Sequence, residues 1–183
     1  MISNTVKSAA ENLFGETIRV ETCGSYRRGK PQCGDVDILI TRMDEKPLAG
    51  MLELLVMHLQ EKGFLKECLS LSEGHLNKTK EMYMGVCKMP GANSLARRID
   101  IKIYPKESYG FALLYFTGSD YFNRSMRLFA DKKGFTLSDH GLIPTSKAKG
   151  SKVSKGIGIP CQTEEEVFKA LGLPYKTPAE RDL

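Results

Sequence analysis

Two aspartates one residue apart stand at the head of an apolar segment, in the sequence DVDILI that begins at Asp35. Successive side chains of a β-strand point to opposite faces, so Asp35 and Asp37 share one face while the Val and Ile residues share the other. Carboxylates at that spacing repel each other, and a divalent cation held by their oxygens relieves the repulsion. The pair predicts a divalent-metal site, and a solvated strand end is the alternative for so short a motif.

A third aspartate lies in a second alternating segment, RIDIKIY, where Asp100 and Lys102 alternate with isoleucines. Asp100 therefore faces away from the apolar side of its strand, as Asp35 and Asp37 do. If the two strands are neighbours in one sheet, three carboxylates meet on its polar face. That is the ligand set that two Mg²⁺ ions need for in-line phosphoryl transfer.

A turn ahead of the first aspartates carries the chemistry of a phosphate site. Gly24 and Ser25 lie where an apolar segment gives way to a short helical stretch, so backbone N–H groups and the Ser25 hydroxyl are suited to cradle a phosphate oxygen. Arg27, Arg28 and Lys30 add positive charge beside it. Taken alone, the turn also fits an ordinary solvated loop.

The helices and strands that must position these residues are predicted from the spacing of apolar residues and from the Gly and Pro residues that mark turns. Strands are predicted at residues 18–23, 35–41, 64–71, 81–88 and 95–104. Helices are predicted at residues 4–14, 48–62, 108–117, 120–133 and 163–171. The simplest arrangement is an α+β fold, a mixed β-sheet with helices on one face, followed after Pro105 by a small α/β subdomain. The lysine-rich stretch 145–158 is predicted to be an exposed loop.

Composition narrows the class of protein without deciding it. Among 183 residues, 27 Lys and Arg against 22 Asp and Glu give a net charge of +5, which is compatible with a polyanionic partner. Five cysteines without CxxC spacing fit neither a disulfide framework nor a zinc module, so we expect a reducing compartment. No signal-like start and no apolar stretch of about twenty residues occurs, which predicts an intracellular protein without a membrane partner.

The motifs taken together resemble the nucleotidyltransferase signature of family X DNA polymerases. That signature is carried by GSYRRG at 24–29, GDVD at 34–37 and RID at 98–100. Further on, YFTGS at 115–119 and FNRSMR at 122–127 resemble the nucleotide-sugar and minor-groove motif of the family. The ending, with LPY at 173–175 and PAER at 178–181, resembles the family's C-terminus, so the resemblance covers essentially the whole chain.

The resemblance implies a nucleotidyltransferase palm at 1–105 and a thumb subdomain at 106–183. It implies a DNA-directed DNA polymerase that adds dNTPs to a primer 3′-hydroxyl by a two-Mg²⁺ mechanism, with Mn²⁺ as an alternative metal. Short-gap filling in DNA repair is the expected role, on primer-template or gapped DNA, by a nuclear monomer with DNA repair proteins as further partners.

The resemblance also implies residue roles. Asp35, Asp37 and Asp100 bind the metals, and Asp100 accepts or orients the primer hydroxyl. The implied nucleotide-binding residues are Gly24, Ser25, Arg28, Gly34, Tyr115, Phe116, Gly118 and Asn123, with Tyr115 and Phe116 against the sugar. The implied DNA-binding residues are Arg124, Arg127, Lys147, Lys149 and Lys152. Alternatively, Asn123, Arg124 and Arg127 lie on an ordinary solvent-exposed face of a helix. Tyr115 and Phe116 are alternatively part of the hydrophobic core.

Departures from the family leave alternatives open. The chain begins at what resembles the palm, so the lyase domain and the helix-hairpin-helix domain are expected to be absent, together with deoxyribose-phosphate lyase chemistry. Cys33 next to Gly34 and the YFTG motif favour the templated branch over a template-independent, terminal-transferase-like polymerase. A catalytically weak fragment that only binds DNA or nucleotide, and a small-molecule nucleotidyltransferase, are the remaining hypotheses.

Overall fold

A computed structural model describes residues 1–73, 80–91, 93–148, 151–154 and 158–182. The chain divides into two compact units. The first contains Met1–Tyr26 and Pro31–Pro105, and the second contains Arg27–Lys30 and Lys106–Leu183. The division after Pro105 coincides with the predicted change of character. The assignment of Arg27–Lys30 to the second unit was not expected from the sequence.

The first unit is built on a five-stranded mixed sheet. Its strands are β1 (Ile18–Thr22), β2 (Asp35–Arg42), β3 (Leu65–Glu73), β4 (Lys80–Lys88) and β5 (Ala96–Ile103). Their order is β1-β2-β5-β4-β3, in which β2 and β5 are parallel and every other neighbouring pair is antiparallel. All five predicted strands are present within one or two residues of their expected bounds.

Two helices, α1 (Ile2–Phe14) and α3 (Met51–Glu61), cover one face of this sheet, while α2 (Gly24–Arg27) is a single short turn. Val6 and Ala10 of α1 are fully buried in one apolar cluster with Ile38 of β2 and Ile101 of β5. The strand alternation therefore buries the isoleucines under the helices and leaves the aspartates on the opposite face. The predicted α+β class, with helices on one face of a mixed sheet, is confirmed.

The second unit combines three helices with a small antiparallel sheet. The helices are α4 (Tyr109–Thr117), α5 (Asp120–Lys132) and α6 (Glu164–Leu171), and the strands are β6 (Phe135–Ser138), β7 (Gly141–Ala148) and β8 (Ser151–Ser154). Apolar side chains of all three helices and of the β6–β7 hairpin form its core, as Phe111, Phe122, Leu137 and Phe168 illustrate. No helix of the described residues is long and apolar enough to cross a membrane.

One structural prediction was wrong. Residues 145–148 and 151–154, expected to be loop, are strands paired in register from Thr145 opposite Ser154 to Ala148 opposite Ser151. Lysine and alanine are weak strand formers, and the cross-strand pairing of the hairpin makes an extended conformation favourable here.

Candidate active site

The three aspartates of the sequence motif meet on the polar face of the first unit. Strands β2 and β5 are parallel neighbours, which confirms the pairing that the prediction required. In their register Asp37 lies directly opposite Asp100, and Asp35 lies opposite Arg98. The adjacent strand β4 places Met84 beside Asp100. Two carboxylates thus face each other across neighbouring strands, with the third two residues away.

Two basic side chains, Arg98 and Lys102, form ion pairs with these carboxylates. The sequence analysis did not assign either of them to the site. The Lys102 ammonium is 3.0 Å from Asp37 Oδ1 and 3.8 Å from Asp100 Oδ2, and the lysine is only 4% exposed. Arg98 binds the Asp35 carboxylate, and its Nε is 3.8 Å from Asp100 Oδ1. The alternation of Arg98, Asp100 and Lys102 along β5 was the available signal, because it puts all three on one face.

Asp100 is the most buried of the three aspartates. It is buried, and its Oδ1 has no hydrogen-bond partner among the described residues. Burial raises the pKa of Asp100 above its usual range, the charge of Lys102 opposes that effect, and the nearby carboxylate of Asp37 adds to it. A buried carboxylate oxygen without a partner is costly, which makes this atom a natural ligand for a cation.

The turn before β2 packs closely against Asp37. The Cys23 N–H donates to the Asp37 carbonyl at 2.8 Å. Gly24 has a φ of 60°, and a Cβ at this position would lie 2.4 Å from Asp37 Oδ2. Only glycine fits here, because any side chain would displace the carboxylate. Ser25 follows in the first turn of α2, half-buried, and Gly34 immediately precedes Asp35.

The donor set fits a hard divalent cation. All three candidate ligands are carboxylates, the Asp100 Oδ1 oxygen is without a hydrogen bond, and Gly24 leaves room at Asp37 Oδ2. As the side chains stand, however, no three acidic, histidine or cysteine residues in the described ranges are arranged to hold a metal ion. Arg98 binds one oxygen of Asp35, and Lys102 binds one oxygen of Asp37.

In the second unit Arg28 is held by two partners. Its Nη1 donates to the Thr117 carbonyl at 2.6 Å, and its Nε donates to Asp182 Oδ1 at 3.0 Å. Lys30 binds the other oxygen of Asp182 at 2.5 Å. Gly118 lies beside the guanidinium, since a Cβ on it would be 3.2 Å from Arg28 Nη1. Arg28 and Gly118, two predicted nucleotide-binding residues, are thus brought together, and Asp182 was missed.

Three other predicted residues of α4 and α5, namely Phe116, Asn123 and Arg127, lie against Tyr115. The Asn123 side chain donates to the Tyr115 carbonyl at 2.7 Å and is buried. The Phe116 ring meets the Tyr115 ring edge-on, with centroids 5.2 Å apart, and the Arg127 guanidinium lies 5.9 Å from the Tyr115 centroid. Arg124 points elsewhere and binds Asp120 at 2.6 Å on an exposed face.

The predicted lysines of the β7–β8 hairpin are described only in part. Lys147 and Lys152 are directly opposite each other in the strand register. Lys149 lies outside the described residues.

A buried ionic cluster in the second unit was also missed. Glu164, 2% exposed, binds Arg27 through both carboxylate oxygens, at 3.0 and 2.8 Å, and Arg181 at 2.5 Å. Arg181 is completely buried, and its guanidinium lies 5.4 Å from the Phe168 ring centroid and 5.5 Å from that of Tyr175. Arg27 was predicted to add charge beside the phosphate turn, but its guanidinium is committed to this cluster.

Comparison with known protein families covers both units. A family model described as DNA polymerase beta palm matches residues 1–106, and one described as DNA polymerase beta thumb matches residues 112–182. The family predicted from the motifs is thereby confirmed.

Individual relatives agree with the family match. DNA polymerase lambda of Rattus norvegicus is 45% identical over 183 residues, covering 99% of this chain and 31% of the rat protein. DNA polymerase lambda of Arabidopsis thaliana is 42% identical over 165 residues, covering 87% of this chain and 31% of the plant protein. DNA-directed DNA/RNA polymerase mu of Homo sapiens is 29% identical, covering 98% of this chain and 40% of the human protein. The chain spans about a third of the length of the two lambda relatives.

Proposed function

Because this chain belongs to family X of the DNA polymerases, the family of DNA polymerase beta, we propose that it transfers deoxynucleotides from dNTPs to the 3′-hydroxyl of a DNA primer. Residues 1–105 serve as the nucleotidyltransferase palm and residues 106–183 as the thumb. The mu relative is named a DNA-directed polymerase, which favours templated synthesis over a template-independent reaction.

The observation that carries this proposal is the meeting of three carboxylates on one sheet face. Asp37 and Asp100 are paired in the β2–β5 register, and Asp35 precedes Asp37 by two residues. Structural carboxylates do not need such a grouping, since their mutual repulsion destabilises the fold. A site that handles a polyphosphate does need it, because its metal ions require several negatively charged oxygen ligands.

The candidate metal ligands are Asp35, Asp37 and Asp100, with Mg²⁺ as the cofactor and Mn²⁺ as the alternative. When bound, the metal neutralises developing charge on the phosphates and lowers the pKa of the primer hydroxyl. Asp100 orients that hydroxyl or accepts its proton. Lys102 balances the charge of Asp37 and Asp100 when no metal is present.

Nucleotide-binding roles are proposed for individual residues of each unit, taken separately. Gly24, Ser25 and the Gly34 backbone hold triphosphate oxygens in the first unit, and Arg28 and Gly118 contribute in the second. Tyr115 and Phe116 contact the sugar, and Asn123 fixes the Tyr115 carbonyl beside it. The proposed DNA contacts are Arg124, Arg127, Lys147, Lys149 and Lys152.

The biological role that we propose is short-gap filling during DNA repair in the nucleus, by a monomer that works with other repair proteins. It rests on the relatives, of which this chain spans about a third.

Primer extension on a duplex with a one-nucleotide gap, with Mg²⁺ and each dNTP, tests the function. We expect templated addition, and a loss of at least about 100-fold in Asp37→Asn and in Asp100→Asn, the range for removing an electrostatic stabiliser of a transition state. Asp131→Asn, on the exposed side of α5, is the matched control. Equal addition to a single-stranded primer indicates a template-independent enzyme. Nucleotide binding without addition indicates a binding fragment and refutes the proposal.

A further inference from the structure

A second polar surface lies on the first unit, and none of the three aspartates is among its described lining residues. It is an open groove of about 650 Å³ at the end of the sheet where β3 begins and β4 ends. Three of its lining residues are lysines, namely Lys62, Lys66 and Lys88. The rest of its described lining is uncharged: Thr5, Gly63, Phe64, Met89, Pro90 and Gly91.

The fold places the three lysines there from three different elements. Lys62 is the C-cap residue of α3, and Lys88 is the last residue of β4. Lys66 is an extra residue in β3, because Leu65 pairs with Cys87 and Glu67 already pairs with Val86. Such a bulge turns a side chain away from its regular direction. The Lys66 ammonium therefore extends over Gly63, 3.7 Å from where a Cβ on that glycine would lie.

None of the three ammonium groups is paired with a carboxylate of the described residues. Three other exposed cations of the first unit do have such partners: Lys7 binds Glu11, Arg19 binds Glu21 and Arg98 binds Asp35. Three like charges around one groove repel one another. A polyanion that enters the groove relieves this repulsion and finds no competing carboxylate.

We infer that this lysine groove, formed by Lys62, Lys66 and Lys88, binds the phosphate backbone of DNA at a position separate from the catalytic aspartates. The uncharged glycine and threonine surface between the lysines lets a sugar-phosphate chain approach closely. No described residue of the groove has the planar donor and acceptor arrangement that reads base edges, so the contact is independent of DNA sequence. The inference rests on the proposed function only in taking DNA as the polyanion.

Salt dependence of DNA binding tests the groove directly. Each phosphate contact contributes about 0.9 to the slope of log affinity against log salt concentration for duplex DNA. A triple variant, Lys62→Gln with Lys66→Gln and Lys88→Gln, should lower that slope by about 2 to 3. The affinity ratio of wild type to variant should then shrink about 40-fold between roughly 50 and 200 mM salt. Fluorescence anisotropy with a labelled duplex provides the measurement.

The control is a second triple variant with the same change of net charge, Lys7→Gln with Lys46→Gln and Lys169→Gln, at exposed lysines outside the groove. Its slope should differ from that of the wild type by no more than about 0.9, which is the contribution of one phosphate contact. Protection of lysines from acylation is an independent readout on the unmodified chain. DNA should protect Lys62, Lys66 and Lys88 and leave Lys7 and Lys46 reactive.

The outcomes separate this inference from the proposed function. An unchanged slope in the groove variant, or equal loss in both triple variants, overturns the inference even if the chain binds DNA and extends primers. An unchanged slope is also the result expected of a surface for an acidic protein segment. A reduced slope in the groove variant, with the Asp37→Asn variant still binding DNA, supports the groove whether or not nucleotide transfer is detected.

Discussion

Replacing Glu164 with Gln removes a buried negative charge that neutralises two arginines at once. The substitution keeps the size of the side chain but removes the carboxylate charge that binds both the fully buried Arg181 and the partly buried Arg27. Removing one partner of a buried ion pair costs about 3 to 5 kcal/mol, since the remaining charge is left desolvated. For a chain of this size we therefore expect the melting temperature to fall by about 10 °C.

Thermal and urea unfolding of Glu164→Gln measure this loss. Glu165→Gln is the matched control, because the neighbouring side chain is exposed, and its effect should stay within about 0.5 kcal/mol. Adding Arg181→Met to Glu164→Gln should recover part of the loss, because Met fills the space among the surrounding rings without a charge. A loss below about 1 kcal/mol in Glu164→Gln, or strict additivity in the double variant, would refute the reasoning.

The same cluster predicts a pH dependence. Burial by itself raises the pKa of Glu164, but hydrogen bonds from Arg181 and Arg27 outweigh it, and the net shift is downward. A carboxyl group whose pKa is lowered by folding stabilises the protein above its unfolded pKa of about 4.3, and that contribution is lost as the pH falls through the folded value. The difference in unfolding free energy between wild type and Glu164→Gln should therefore be full at neutral pH and shrink below about pH 4. If the difference in unfolding free energy between the two proteins increases as the pH falls, the lowered pKa of Glu164 in the folded state is contradicted.

Three further substitutions test the candidate active site. Lys102→Met leaves Asp37 and Asp100 without their shared ammonium. We therefore expect a lower free energy of unfolding in EDTA, and a larger stabilisation by added Mg²⁺ than in wild type. Equal stabilisation of both proteins by Mg²⁺ contradicts this expectation. Gly24→Ala puts a Cβ 2.4 Å from Asp37 Oδ2 at a residue with a positive φ. Nucleotide transfer should therefore fall, and the free energy of unfolding should drop by at least about 1 kcal/mol. Wild-type activity in this variant would show that the carboxylate moves freely. Tyr115→Ala should narrow the preference for dNTPs over rNTPs with little change in melting temperature, because the ring is 37% exposed; unchanged sugar preference with a lower melting temperature indicates a core role instead.

Local sequence pattern was sufficient for most of the elements and for the face on which each candidate ligand lies. Alternation within β2 and β5 put Asp37 and Asp100 on the polar side of their strands, because a strand has a period of two residues wherever it sits in a sheet. The spacing of apolar residues in α1 and α3 likewise marked the buried side of each helix. The family followed from motifs that are contiguous in the chain, and the comparisons confirmed it.

Tertiary structure alone decided which of these residues meet. The pairing of Asp37 with Asp100, the bonding of Arg28 to Asp182 and the burial of Glu164 between two arginines join positions far apart in the sequence. Local periodicity carries no information about such contacts, because they depend on strand order and on the docking of whole elements. The same reason explains the strands at 145–148 and 151–154, where cross-strand pairing outweighs the weak strand propensity of lysine and alanine.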